Sequence, residues 1–208
     1  EDAKVVVHGS PWQEANALAQ TPVGPNDAFI HPFDDPLLWT GHASLIDEVA
    51  EAGVKPDAVV LSVGGGGLLS GVVEGLQRNG WGEVPVLAVE TNGAASLHAA
   101  MQAGHSVELE RIASVATSLG AKRVANQALI CAQQHPVHSH LVSDRAALEA
   151  CERFLLDHRL LVEPACGAAL ALAYAPSALA QYQSVLVVVC GGATATLAQI
   201  KAWLQQAD

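Results

Sequence analysis

Short runs of β-branched and aliphatic residues alternate along the chain with stretches whose apolar positions recur at helical spacing. That alternation predicts strands and helices in turn. Lys4 to His8, centred on Val5, Val6 and Val7, reads as a strand, and Trp12 to Gln20 as a helix that stops at Thr21-Pro22-Val23-Gly24-Pro25-Asn26. Ala28-Phe29-Ile30 predicts a second short strand. From Pro36 the positions Leu38, Leu45 and Val49 fall at helical spacing, so a helix runs to about Ala52, where Gly53 and Pro56 end it. The pattern then becomes strand, glycine loop, helix: Ala58 to Val63, Gly64 to Gly67, then Leu68, Leu69, Val72, Val73 and Leu76 on one face. Val84 to Glu90 predicts another strand, followed by a helix near Ala94 to Ala103. Later come a helix from about Asp144 to Asp157 capped by Ser143, an Ala-rich helix after Gly167, a strand Val185 to Val189, and a last helix carrying Leu197, Ile200 and Leu204. Strands that are apolar throughout and separated by helices are buried on both faces. The predicted fold is therefore α/β, an open, mostly parallel sheet with helices on both faces. One boundary stands out, near His31-Pro32, which sets residues 1–31 apart from 32–208.

Composition narrows the class. At 208 residues there is room for one large domain, or one domain plus a fragment of another. Charged residues are 15% of the chain, against roughly 25% in an average soluble domain, which points to a thick core and away from disorder. Ten Lys and Arg against 21 Asp and Glu give a net charge of −11, and aromatics are only 4%. Such a surface offers neither a phosphate-tracking basic face nor stacking platforms, so nucleic acid and anionic membranes are excluded as partners. No apolar run approaches the roughly 18 residues of a membrane span, so the expected protein is soluble. Glu1-Asp2-Ala3-Lys4 shows neither an initiator Met nor a secretory leader, so the chain reads as processed or as a piece of something longer. Cys131, Cys151, Cys166 and Cys190 make no Cys-x-x-Cys pair and read as reduced thiols of a cytoplasmic protein.

The strongest local signal is Ser62-Val63-Gly64-Gly65-Gly66-Gly67-Leu68. Four glycines between a buried strand and a helix let backbone N–H groups converge on an anion at the helix N-terminus, and a phosphate is the natural ligand. A tight turn is the competing reading, and it needs only one or two glycines. A dinucleotide fingerprint starting at Gly64 or Gly65 would put Leu69 or Ser70 at its third glycine, and a Walker loop fails because Gly71 is followed by Val72. Val188-Val189-Cys190-Gly191-Gly192 ends a second predicted strand, where open α/β sheets place ligands; a neutral thiol there can meet a cofactor ring, though a buried Cys is more often packing. Glu90, before Thr91-Asn92-Gly93-Ala94, is an ion ligand, a substrate contact or a helix N-terminal acid, and its local sequence favours the last. His135-Pro136-Val137-His138-Ser139-His140 has no Cys or acid at a recognised metal spacing and reads as a solvated loop, while Cys131 and Cys151 fall in helical patterns and read as core.

Seven segments, in order, resemble the L-serine dehydratase/L-threonine deaminase family: 30–36 (Ile-His-Pro-Phe-Asp-Asp-Pro), 41–44 (Gly-His-Ala-Ser), the glycine loop, Glu90 to Ser96, Ser114 to Arg123, Val162 to Gly167 and Val189 to Gly192. The Gly-His-Ala-Ser segment and Cys190 are most similar to the catabolic serine dehydratases of that family. The resemblance implies a fold-type II, tryptophan synthase β-like pyridoxal-phosphate enzyme. It implies that Gly64, Gly65, Gly66, Gly67 and Leu68 cradle the cofactor phosphate, and that Cys190, followed by Gly191, partners the pyridine nitrogen. It further implies a monovalent-cation site, K+ by preference, from the Glu90 carboxylate and carbonyls at Gly64, Ala94, Leu119 and Ala121, since oxygen ligands suit a hard cation.

This sequence departs from the family in two respects: the family's substrate-carboxylate loop, rich in Ser, Asn and Gly, is missing, and so is its lysine. The family holds its cofactor as a Schiff base on a lysine of a Ser-x-Lys motif, and Lys4, Lys55, Lys122 and Lys201 follow no such motif. No catalytic residue is therefore assigned within the chain. By resemblance the fold is incomplete: residues 1–31 are a remnant of a small domain and 32–208 most of a large cofactor-binding domain. The expected reaction is β-elimination of L-serine or L-threonine to pyruvate or 2-oxobutyrate plus ammonia, with the chain acting as a homodimer or paired with a missing N-terminal segment. The alternatives are a non-catalytic phosphate- or cofactor-binding partner subunit and a nucleotide-binding domain, which fails both glycine-motif comparisons.

Overall fold

The computed structural model describes residues 3–9, 12–21, 24–175, 177–192 and 194–207. Its contacts divide the chain into two units, Glu1–Pro32 and Phe33–Asp208. In the first unit α1 (Trp12–Ala19) buries none of its residues. Neither expected strand forms: 4–8 and 28–30 are irregular, and Val5 and Val7 are 84% and 90% exposed. A strand is stable only with a ladder partner, and no described residue supplies one here. Around His31 the rings of Trp12 and Phe29 pack edge-on, with centroids 5.3 and 6.2 Å away. Pro22 and Val23 of the expected turn lie outside the described residues.

The second unit carries the sheet. Its strands are β1 (Ala58–Ser62), β2 (Val86–Thr91), β3 (Val137–Val142) and β4 (Val185–Val187), in the order β3-β2-β1-β4 and parallel throughout. Every residue of the two central strands is buried. Alternate side chains serve opposite faces: Val59, Leu61, Val86 and Ala88 pack with α3 (Gly67–Arg78), α4 (Ser96–Ala103) and α5 (Asn126–Gln134). Val60, Leu87 and Val89 pack instead with α7 (Pro164–Ala173). Outside this second layer, α6 (Asp144–His158) and α8 (Leu197–Leu204) close a further apolar cluster through Leu148, Phe154 and Ile200. The expected doubly covered α/β sheet is thus the observed one. No described helix is long and apolar enough to cross a membrane.

Two readings are corrected. His135 to His140 is not a solvated loop, because Val137–Val142 pairs with β2 as an edge strand. Val137 enters the core and the buried His135 donates from Nε2 to the Val84 carbonyl at 2.8 Å. Two histidines within the strand, and burial that does not alternate, with Val137 alone fully buried, set it apart from the apolar central strands. The Ala-rich helix begins at Pro164, and Gly167 lies inside it. A Cβ on Gly167 would sit 2.2 Å from the Ala147 carbonyl oxygen, so this glycine is there to let α6 approach.

The same device joins α3 to α2 (Pro36–Glu51), whose start is fixed by Pro36 and by the Asp35 carboxylate accepting from the Leu37 amide. Gly67, Gly71 and Gly75 recur every fourth residue along one face of α3. Cβ atoms would lie 2.5 Å from the Trp39 carbonyl oxygen at Gly71 and 2.7 Å from that of Ala43 at Gly75. We expect Gly75→Val to lower the unfolding free energy by about 2–3 kcal/mol, whereas Gly82→Ala, with open space at its Cβ, changes it by less than about 0.5 kcal/mol. Urea denaturation of the two variants checks both values.

Burial holds His135 below the ordinary histidine range, outweighing its bond to the Val84 carbonyl. The fold favours the neutral ring, so this contribution is complete above the unfolded histidine pKa and is lost as pH falls through the depressed value. Stability measured from pH 7 downward is therefore expected to drop, and His135→Gln, which keeps a donor for Val84, to flatten part of that drop. A remainder persists through His140, also lowered by burial and by His138. An unchanged acid limb in His135→Gln contradicts this assignment.

Candidate functional site

Because all four strands run the same way, their carboxyl ends open on one rim. Gly64–Gly67 follow β1, Asn92–Ala95 follow β2, Ser143 follows β3, and Cys190–Gly192 follow β4 after Val188 and Val189. Open α/β sheets present ligands at this edge.

Packing accounts for every glycine of the loop. A Cβ would come within 2.9 Å of the Leu119 Cα at Gly64, 2.2 Å of the Phe33 ring at Gly65, 2.4 Å of the Ala128 Cβ at Gly66 and 2.7 Å of the Phe33 carbonyl oxygen at Gly67. Gly66 is also left-handed, with φ +91°, as the N-cap of α3. The number of glycines is therefore explained without a ligand, and the case for an anion rests on different atoms. No side chain caps α3, and among the described residues none of the amides of Gly64 to Leu69 donates to a protein acceptor. Gly66, Gly67 and Leu69 are buried, so these amides are withdrawn from solvent. A buried, uncapped N-terminus of a twelve-residue helix suits an anion both by its free donors and by its dipole.

Beside it, Glu90 is fully buried at the end of β2, and its two carboxylate oxygens accept from the amides of Leu97 and His98, each at 2.8 Å. Burial pushes its pKa up to about 7, against the downward pull of the Leu97, His98 and Ser96 amides. The helix N-terminal role favoured by its local sequence is therefore real. Because Glu90 takes those amides, the Ala94 carbonyl has no donor among the described residues, and neither have those of Gly64 and Ala121. Leu119 packs in the same apolar cluster as Ala94 and against Gly64, while its carbonyl accepts from the Ala121 amide at 2.9 Å. The side chain of Ser96 is also buried, and its Oγ has no hydrogen-bond partner. That orphaned hydroxyl was not legible in the sequence, since only the tertiary packing deprives it of partners. The segment carrying Leu119 is tied down by the chain Thr91 Oγ1 to Ser114 Oγ (2.8 Å) to Asp144 Oδ1 (2.6 Å), with the Val115 amide on Asp144 Oδ2.

On the β4 side Cys190 is exposed, and desolvation, with Cys166 and Glu163 nearby, pushes its thiol up to about 11. It is neutral at physiological pH. Cys131, Cys151 and Cys166 are buried, as expected for core thiols in the first two cases. Among the described residues, no group of three or more His, Cys, Asp and Glu side chains is arranged to hold a metal ion. The lysines are engaged or outward-facing: Lys55 pairs with Glu83, Lys122 donates to the Glu110 carbonyl, and Lys4 and Lys201 are exposed.

A parallel α/β sheet with an uncapped helix N-terminus on its carboxyl rim is the arrangement at which open α/β proteins take phosphorylated ligands. The chain belongs to the pyridoxal-phosphate dependent enzyme family, whose description matches residues 2–191. It is 49% identical to the L-serine dehydratase/L-threonine deaminase of Homo sapiens, over 99% of this chain and 66% of that protein. It is 51% identical to the serine dehydratase-like protein of Mus musculus, over 92% of this chain and 62% of that one. Among solved structures it is similar to a fungal L-serine ammonia-lyase from Rhizomucor miehei, with 35% identity and a TM-score of 0.89 over 97% of this chain and 66% of that one. The chain thus spans a little under two thirds of the length of these relatives.

Glu90→Ala leaves two buried amides without acceptors and is expected to cost about 2–5 kcal/mol. Glu90→Gln keeps one acceptor oxygen and should lose less. Thermal and urea unfolding at neutral pH measure both, and equal losses in the two variants would contradict the assignment of the Leu97 and His98 bonds.

Proposed function

We propose that this chain forms the cofactor-binding part of an ammonia-lyase that deaminates L-serine, and L-threonine, by β-elimination to the 2-oxo acid and ammonia. The observation that carries the reading is the buried, uncapped start of α3 on the rim, in a chain 49% identical to a human L-serine dehydratase/L-threonine deaminase. Bound pyridoxal phosphate would supply an electron sink for the charge left at the substrate Cα. The amides of Gly64, Gly65, Gly66, Gly67 and Leu68 hold its phosphate through donors that no protein atom uses. Cys190, with Gly191 completing its turn, is the residue that would face the ring nitrogen. A neutral thiol there would not fix a positive charge on the ring as a carboxylate would.

Glu90 and the carbonyls of Gly64, Ala94, Leu119 and Ala121 form the site of a monovalent cation, K+ by preference. The free carbonyls and the orphaned Ser96 hydroxyl support this, and they add Ser96 Oγ as a further oxygen ligand of the kind a hard cation takes. The cation holds the 119–121 segment against the glycine loop and does no chemistry itself.

None of the chain's four lysines stands in the setting the family uses to attach the cofactor and move the Cα proton, so the acting lysine comes from further polypeptide. Residues 1–31 would belong to a small domain and 32–208 to the large one. The edge of β4, unpaired among the described residues, supports such a pairing: between Leu45, Glu48, Val49 and Ala52 of α2 and Leu186 to Val189 runs a mostly apolar groove of about 340 Å³. A second copy of the assembled protein completes a dimer in the cytoplasm.

The test is L-serine-dependent release of pyruvate and ammonia in equal amounts. The chain alone is expected to show turnover lower by at least about 10²–10⁴-fold, the range ascribed to a positioned acid–base group, than the chain supplied with the lysine-bearing upstream segment of its human relative. Full turnover by the chain alone would overturn the lysine reading, and a complemented protein that binds pyridoxal phosphate yet releases no pyruvate would overturn the reaction.

A further inference from the structure

We propose that Glu163 is a positioning residue whose amide and carboxylate clamp the turn after β4, and so set where the Cys190 thiol stands on the rim. Glu163 is the N-cap of α7, with extended backbone (φ −86°, ψ 162°). Short polar side chains at that position turn back onto their own helix amides, whereas Glu163 carries a longer one. Here it makes no cap bond, and Pro164 at the first helical position has no N–H to offer. Its Oε2 reaches across to Thr194, accepting from the Thr194 amide at 3.3 Å and from the Thr194 hydroxyl. Its own amide donates to the Gly191 carbonyl at 3.1 Å.

Three further contacts make this a clamp and not a single bond. Gly192 lies so close to the preceding residues of the same segment that a Cβ would sit 2.2 Å from the Leu161 carbonyl oxygen and 3.0 Å from the Val162 Cα. The buried Cys166 thiol, three residues into the motif, is approached by the amides of Cys190 and Gly191. The Glu163 carbonyl accepts from Cys151 Sγ at 3.3 Å, which anchors the clamp to α6. Upstream, the last ladder bond of the strand is Val188 N–H to the Val60 carbonyl at 2.9 Å. Cys190 therefore stands between a sheet bond at Val188 and the Glu163 clamp at Gly191 and Thr194, and its side chain inherits its place from both. A neutral thiol contact is short-ranged and directional, so it needs such support.

The inference rests on the reading of Cys190 as the ring nitrogen's partner, and its test separates the two. Iodoacetamide alkylation of the full chain at pH 8, resolved residue by residue by mass spectrometry, reports the environment of Cys190, with buried Cys131, which lies outside the clamp, as internal control. The Cys190 thiol is exposed but held beside Cys166 and Glu163, and desolvation together with these neighbours raises its pKa, so a turn freed of the clamp lets it move away from them, regain thiolate character and react faster. Glu163→Ala is expected to raise the Cys190 rate at least tenfold and Thr194→Val, which keeps the carboxylate, to raise it as well. Glu163→Gln, which retains an acceptor oxygen, should stay within threefold of the parent. Asp47→Ala breaks the distant pair with Arg78 and should leave Cys190 unchanged. A Cys190 rate within twofold of the parent in both Glu163→Ala and Thr194→Val, or an equal rise in Asp47→Ala, overturns the clamp. Added pyridoxal phosphate should slow alkylation of Cys190 in the parent. Absence of that protection overturns the Cys190 assignment, while the clamp is decided by the variants.

Discussion

The structure depends on the parallel direction of its four strands. Parallel neighbours cannot be joined by tight hairpins, so a helix must cross over between each pair, and every crossover leaves from the same rim. Four chemically different segments are thereby gathered without any of them being near the others in sequence: the glycine loop, the stretch after Glu90, Ser143 with Asp144, and the turn bearing Cys190. The helices also point their amide ends at this rim, so positive potential accumulates there in a chain of net charge −11.

What distinguishes the positions on the rim is how their helix starts are satisfied. The start of α6 is capped by Ser143, whose Oγ accepts from the Ala146 amide, and α8 carries a capping box between Thr196 and Gln199. The start of α4 is taken by Glu90. At α7 the cap acid is diverted to Thr194. Only α3, following the central strand β1, combines a buried first turn with a glycine N-cap and no acceptor among the described residues. The proposed anion position thus rests on comparison of the helix ends, and not on the glycines, whose close contacts with Phe33, Leu119 and Ala128 would be needed in any case.

Much of this was legible in the sequence, for identifiable reasons. The central strands open on unbroken apolar runs, Ala58 to Leu61 and Val86 to Val89, and the loop after β1 interrupts that pattern abruptly, so fold class and glycine loop could be read directly. The edge strand β3 could not, because two histidines and a serine stand among its six residues and only Val137 of them is buried. The strands at 4–8 and 28–30 failed for the opposite reason: local propensity was present and a partner was not. Gly167 looked like a boundary and proved to be a contact point, since nothing local tells a helix-ending glycine from one that admits a neighbouring backbone. The orphaned Ser96 hydroxyl and the reach of Glu163 to Thr194 are tertiary facts, invisible to spacing.

The central claim is that the first turn of α3 receives a phosphate group. The most direct measurement is ¹⁵N–¹H NMR of the chain labelled at glycine and leucine, titrated in parallel with pyridoxal phosphate, inorganic phosphate and pyridoxal. The account predicts that the amide resonances of Gly64 to Leu68 shift with both phosphate-bearing ligands and stay in place with pyridoxal. Shifts of equal size with pyridoxal, or resonances of Gly64 to Leu68 that do not move at saturating pyridoxal phosphate, would contradict it.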